Sequence, residues 1–266
     1  MNLAPYSTVN QKNWLLAAMS SNDLALLEPK LEPLALKVKQ VLEPANKAIK
    51  HGYFITSGLA SVIAIGKNSH RLEVGIIGCD GLTGLPVVLG NDRSPNETFI
   101  QVEGTGSRIA ADDLRQAMRQ SASLSRVLLN FVNAFLIQTS HTALSNGTAT
   151  IEERLARWLL MAQDLLCGDE IPLTHEFLSL MLGVRRVGVT GALNQLGRKG
   201  LIRYLEAHLD RRSRWPDQFC QRQLWHPRSY GPAESTGAVG ASLKLTRGSH
   251  GGGKWRVPCE GMWQRC

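Results

Sequence analysis

One glycine set between two short apolar-faced runs constrains this chain more than anything else in it. It lies within residues 171–204, IPLTHEFLSLMLGVRRVGVTGALNQLGRKGLIRY. Gly183 stands where the chain must reverse sharply between two helices, a position that favours a residue without a Cβ. Before it, Thr174 is placed to cap a helix from His175 to Leu182 by accepting a bond from a free first-turn amide. After it, Arg185 and Arg186 open a second helix whose Val189, Ala192, Leu193 and Leu196 share one face. With Leu178, Leu182 and Val184 they make a small core that clamps the helices together. Arg185, Arg186, Gly188, Thr190 and Gly191 are left outward and, with Thr174 and His175, form the candidate surface. A recognition helix presents its N-terminal residues to base edges, and paired arginines there suit guanine or phosphate. The expectation is a helix-turn-helix that reads double-stranded DNA. The plainer alternative is a helical hairpin with solvated arginines. The coincidence of cap, turn glycine and twin arginines weighs against it.

Composition sets outer bounds. A chain of 266 residues with 43% hydrophobic content has enough material for a real core and for one or two domains. No stretch approaches the roughly 18–20 apolar residues a membrane span needs. The start, MNLAPYSTVNQKNW, shows no secretory pattern. A cytoplasmic location without membrane partners is therefore expected. Cys79, Cys167, Cys220, Cys259 and Cys266 form no CxxC pair, and the seven histidines show no HxH or HxxxH spacing. No metal, cofactor or catalytic group is expected from such dispersed residues. The net charge of +8 is unevenly spread, since ten Lys/Arg against five Asp/Glu fall from Leu205 onward. Charge is thus weak support for a nucleic-acid partner, and the helix pair has to carry that reading.

The chain falls into four parts. Residues 13–33 suggest one or two short helices with Asn22 or Ser21 as a cap. From Leu34 to about Ile109 the apolar period becomes two, in LALKVKQVL, YFITSGLASVIAIG, LEVGII and TFIQVEG, with frequent glycines. That is the pattern of an antiparallel sandwich or barrel. Helical sequence starts at Asp112 or Asp113. Leu124, Val127, Leu128, Phe131, Val132, Phe135, Leu136 and Thr139 then give a wide apolar stripe, broad enough for one side to cover the β domain and the other a twin helix. Asn146-Gly147 is read as the end of that helix, and IEERLARWLLMAQDLL as a further amphipathic one. The expected divisions are a β-sandwich sensor domain at 13–120, a long dimerisation helix at 121–147, a DNA-binding domain at 148–204 and an atypical, poorly ordered tail at 205–266.

This order of parts resembles the Crp/Fnr transcription regulators, as does the wording of NWLLAAM, EVGIIGCDGLTGLPVVLG and LTHEFLSLMLGVRRVGVTGALNQLGRKGLIRY. The resemblance covers roughly residues 13–204. It implies an α+β chain: a cyclic-nucleotide-binding-type jelly roll (double-stranded β-helix), a dimerisation helix and a winged helix-turn-helix. It also implies a homodimer on a palindromic operator, with RNA polymerase as a further partner and an unknown small-molecule effector. By position, Thr174 and Arg185 match phosphate contacts of the family, and Arg186, Gly188 and Gly191 match its base-reading positions. The effector pocket would involve Gly78, Asp80, Gly81, Gly84 and Leu85, although the run Gly78-x-x-Gly81-x-x-Gly84 reads more readily as turns between strands.

Two departures from the family stand out. Cyclic-AMP-binding members carry glutamate after glycine and then an Arg-Ser/Thr pair, whereas this chain has Gly84-Leu85-Pro86 and Asn96-Glu97. Glu97 would repel a phosphate, so tight cyclic-AMP binding is not expected. After LIRY the family's wing is not recognisable in LEAHLDRRSRWPDQFC, which suggests a frameshift near residues 204–212 and a wing that is lost. The competing reading is a small-molecule-binding jelly roll whose DNA binding is impaired by that ending.

Overall fold

Strands β3 (His51–Ile65) and β5 (Glu97–Ala110) run for 15 and 14 residues in the computed structural model, which describes residues 13–166, 170–205 and 208–210. Strands this long stay in a small sheet only by bending. Their antiparallel register slips near Ile55, Ser57 and Leu59. Bulges of this kind add a residue to one strand and increase its local twist. Gly58 sits at the bend with φ +87, and a Cβ on Gly104 would lie 2.0 Å from the Ser57 carbonyl oxygen. Both positions therefore exclude side chains.

Around this pair the sheet runs β1-β5-β3-β4, with β1 at Glu32–Leu36, β4 at Arg71–Ile77 and β2 (Val41–Glu43) also pairing with β5. Every pairing is antiparallel. The inner face, including Phe54, Ile55, Ile100 and Ile109, buries Leu15, Leu16 and Leu27 from two short N-terminal helices, α1 (Trp14–Ala17) and α2 (Ser21–Leu27). Buried Asn13 caps α1 and donates through its amide to the carbonyls of Ile55 and Gly81, at 2.7 and 2.9 Å. The cap of α2 is Ser20, one residue before the pair expected from sequence.

A short turn, α3 (Leu85–Val88), precedes β5, and helix α4 (Ala111–Gln120) follows it with Asp112 and Asp113 in its first turn. Acidic groups there face the positive end of the helix dipole. The long helix α5 spans Ala122–Thr148, capped by the Ser121 hydroxyl, and so ends just past Asn146-Gly147. Its Leu124, Leu128, Phe131 and Val132 are buried against the sheet domain. The α+β class expected from the sequence, an antiparallel roll followed by a long helix and a helix-turn-helix, is the class observed.

The loss of the wing is corrected. Strands β7 (Arg203–Leu205) and β8 (His208–Asp210) form an antiparallel hairpin, and β8 also pairs with β6 (Glu170–Ile171). Residues expected to begin the tail therefore complete the sheet beside the helix pair. The missed signal is short: alternation over Arg203–Leu205 and His208–Asp210 is too brief to register as a strand pattern. Residues 206–207 and 211–266, where most of the atypical tail lies, fall outside the described residues.

Changing Gly104 to Ala should destabilise the protein by about 2–4 kcal/mol, because its methyl has backbone rather than a yielding side chain in front of it. A urea unfolding curve checks this, with a shift below about 1 kcal/mol counting against the bend as described.

Candidate nucleic-acid interface

Helix α6 (Ile151–Leu166) begins with a reciprocal cap. The Thr150 amide donates to the Glu153 carboxylate at 2.8 Å, and the Glu153 amide donates to the Thr150 hydroxyl at 3.3 Å. These bonds satisfy two amides that the helix itself leaves free, and they hold the Glu153 carboxyl below its ordinary range. Helix α7 (His175–Leu182) starts at Thr174, whose hydroxyl accepts from the Phe177 amide at 3.3 Å. It stops at Gly183, with φ 62. There the Val184 amide reaches the Ser179 carbonyl and the Gly183 amide the Leu180 carbonyl. This left-handed stop closes the last turn and re-aims the chain within two residues. Helix α8 (Arg186–Arg198) follows directly, with Arg185 at the capping position. Leu178, Leu182, Val189, Ala192, Leu193 and Leu196 are buried together, as the sequence spacing predicts.

Arg185, Arg186, Thr190 and Gly191 are exposed, and nothing lies within 4 Å of a Cβ built on Gly191. Thr174 is exposed, and His175 half-buried behind it. Gly188 is placed differently from the sequence reading. It is half-buried, and a Cβ there would meet Ile151 and Val184 at 3.5–3.8 Å, so its bare face turns toward α6. The outward place belongs to its neighbour Val187, which is 83% exposed. Asn194 and Arg198 continue the same outward side. The missed signal was helical spacing from the twin arginines, since steps of three and four from Val187 lead to Thr190, Gly191, Asn194 and Arg198. An apolar side chain at the mouth of such a helix suits a thymine methyl, whereas the arginines suit guanine or phosphate.

The helix pair does not stand free of the sheet. Leu59, Ile76 and Val102 from the outer sheet face share one core with α6, α7 and α8. Phe177 stacks on Phe99 with ring centres 6.2 Å apart, and Leu72 lies against Gly183. The thiol of buried Cys79 donates to the Leu165 carbonyl at 3.1 Å.

Among the residues expected to line an effector pocket, the three glycines are closely packed, whereas Asp80 and Leu85 are half-buried. A Cβ on Gly78 would strike Leu165, and one on Gly81 would strike the Phe131 ring. Gly84 adopts φ +85, and its amide donates to buried Glu43 at 2.6 Å; Leu85 then starts α3. Burial raises the Glu43 carboxyl, and the Gly84 amide lowers it in part. Asp80 accepts from the Gly78 amide, yet burial pushes it up to about 6. Glu97 is paired with Arg71, so its charge is compensated rather than left to repel an anion. A crevice of about 20 Å³ does open beside Glu73, Arg154, Arg157 and Trp158. That is room for a water, far below the roughly 300 Å³ of a small-molecule site. Among the described residues no cluster of three or more His, Cys, Asp or Glu could hold a metal ion, and no helix is long and apolar enough to cross a membrane.

Residues 153–212 match the family model of the Crp-like helix-turn-helix domain. This match reaches past the point where the sequence reading ended the family pattern. The fold is similar to that of FixK2 from Bradyrhizobium japonicum (16% identity, 69% of this chain and 93% of that one, TM-score 0.61). It is similar also to CLP, a c-di-GMP-responsive global regulator from Xanthomonas campestris (14% identity, 73% and 100%, TM-score 0.60). A third likeness is CooA from Carboxydothermus hydrogenoformans (14% identity, 76% and 92%, TM-score 0.55). No curated protein matches. The chain thus carries a Crp-like helix-turn-helix domain on a fold of the Crp/Fnr regulator type.

Removing the α7 cap by Thr174→Ala should cost about 1 kcal/mol of stability and leave the Gly183 turn in place. Thermal unfolding with and without the substitution measures it, and an unchanged midpoint would show that the hydroxyl caps nothing.

Proposed function

We propose that this protein is a non-enzymatic, sequence-specific DNA-binding transcriptional regulator that works in the cytoplasm as a homodimer. The observation that carries the reading is the exposed N-terminal end of α8. There Arg185, Arg186 and Val187 project from a helix held by the Gly183 turn, within a domain matched by the Crp-like family model. Arg186 reads a guanine edge or grips phosphate, Val187 contacts a thymine methyl, and Arg185 and Thr174 address the backbone. The hairpin β7–β8 supports this reading, because it supplies a wing beside the recognition helix.

The pairing surface is the free side of α5. Leu129, Asn133, Leu136, Ser140, Ala143 and Gly147 are all exposed and recur at steps of four and three. That is the spacing of a two-helix seam. Leu129, Leu136 and Leu144 leave 45%, 56% and 58% of their surface uncovered. A second copy of the helix buries them and sets two recognition helices on successive major grooves, about 34 Å apart. Of the wide apolar stripe expected from the sequence, Leu128 and Phe131 lie on the side buried against the sheet domain and Leu136 on the side left exposed.

Cyclic AMP is not the effector in this reading. The amide of Gly84 is already used by Glu43, and Gly78 and Gly81 are closed by Leu165 and Phe131.

Three outcomes follow. Arg186→Ala should weaken binding to a fragment selected from the source genome by about 1–3 kcal/mol and relax its sequence preference; an unchanged profile removes Arg186 from base reading. Leu136→Asp should convert a dimer to a monomer in sedimentation and weaken binding to a palindromic site at least tenfold, whereas an intact dimer would place the interface elsewhere. Calorimetric titration with cyclic AMP should show no saturable binding near micromolar; such binding, lost on changing residues 78–97, would overturn the closed-pocket account.

A further inference from the structure

Strand β4 touches three helices in succession. Leu72 lies against the Gly183 turn that ends α7, Glu73 meets α6, and Gly75 and Ile76 meet α5. Ile76 is held by both ends of the Gln138 amide: its N–H donates to Oε1 at 2.7 Å, and its carbonyl accepts from Nε2 at 3.1 Å. Glu73 is the charged member of the series and is fully enclosed. Its Oε1 accepts from the Trp158 indole N–H at 2.5 Å. The Arg157 guanidinium, from the same turn of α6, donates to the Thr142 hydroxyl and the Gln138 carbonyl of α5 and is attracted to Glu73. One carboxyl thus faces groups from the sheet and from α6, and through Arg157 it is linked to the long helix.

We propose that Glu73, with Trp158 and Arg157, is a positioning joint that sets the DNA-binding domain against the sheet and the long helix. The inference rests on the DNA-binding reading for its consequence, but the joint itself is a property of the fold. No family resemblance or helix pattern singles out Glu73; an acidic residue inside the apolar run LEVGII is the one sequence sign of it.

The chemistry of the joint makes it responsive to protons. Burial raises the Glu73 carboxyl from 4.5 to about 7, against smaller lowering by the Ser61 hydroxyl, the Trp158 indole and the Arg157 charge. The other charged group lining this crevice is Arg154, which donates to the Leu182 carbonyl and has a buried Nε without a partner. The closed joint therefore holds a proton more tightly than an opened joint with a solvated carboxyl. Opening is unaffected by pH well below 4.5, grows more favourable as pH rises toward 7, and levels off above it. The full change is on the order of 10²-fold in the opening equilibrium.

The test uses the full chain labelled with 5-fluorotryptophan, with Trp158→Phe assigning the Trp158 resonance. From pH 5.5 to 8.5 that resonance should move toward its solvent-exposed position with a midpoint near 7. Glu73→Gln, which keeps an acceptor for the indole but has no charge to gain, should abolish the transition. Asp80→Asn should leave it in place, although Asp80 titrates nearby in pH. No transition at Trp158, or one that survives Glu73→Gln, overturns the proposal. DNA affinity is then measured over the same range on the selected genomic fragment. A several-fold pH dependence in the wild type that is flat in Glu73→Gln supports the coupling, and identical profiles overturn it. A wild type that binds no fragment selectively while still showing the Trp158 transition would remove the DNA-binding reading and leave the joint standing.

Discussion

The absence of a side chain at Gly75 is the constraint on which the arrangement of this molecule depends. A Cβ there would come within 2.8 Å of both Phe135 and Gln138. With only hydrogen in that place, the long helix approaches the edge strand closely enough for Gln138 to pair with the backbone of Ile76 as a neighbouring strand would. An open strand edge is a liability in water. Here the edge is met from the side by a helix. The helix-turn-helix then inherits its position from a strand it never joins in sequence.

Glycine pattern, apolar period and turn chemistry made the broad design legible from the chain alone. The two-residue period between Leu34 and Ile109 announced the roll, and Gly183 with Thr174 announced the turn between the last helices. Such features are local, so sequence carries them. Other features depend on what arrives from elsewhere. Gly78 and Gly81 read in one dimension as turn residues beside an expected effector pocket; only in three do Leu165 and Phe131 fill the space next to them. Glu97 looks like an unopposed charge until Arg71 is brought to it across the sheet. The strands of the last hairpin are three residues each, too short for periodicity to register, and only their pairing with each other and of His208–Asp210 with Glu170–Ile171 identifies them.

The recognition surface shows the same division at finer grain. Helical spacing placed Arg186, Thr190 and Gly191 outward, and they are exposed. It did not separate Val187 from Gly188, because a residue near a helix end can be claimed either by the groove side or by the helix it leans on. Ile151 decides the matter by occupying the space beside Gly188. The protein thus offers a mixed surface, two guanidinium groups beside an exposed valine, in which charge supplies grip and the valine supplies shape.

The reciprocal cap of Thr150 and Glu153 has a mechanical consequence. Because α6 terminates itself chemically, the connection from Thr148 is reduced to Ala149 and Thr150, with no slack borrowed from either helix. Two extended residues reach about 7 Å at most. The reading head is therefore kept on a tether of two residues, unable to translate away from the long helix by even one turn of DNA.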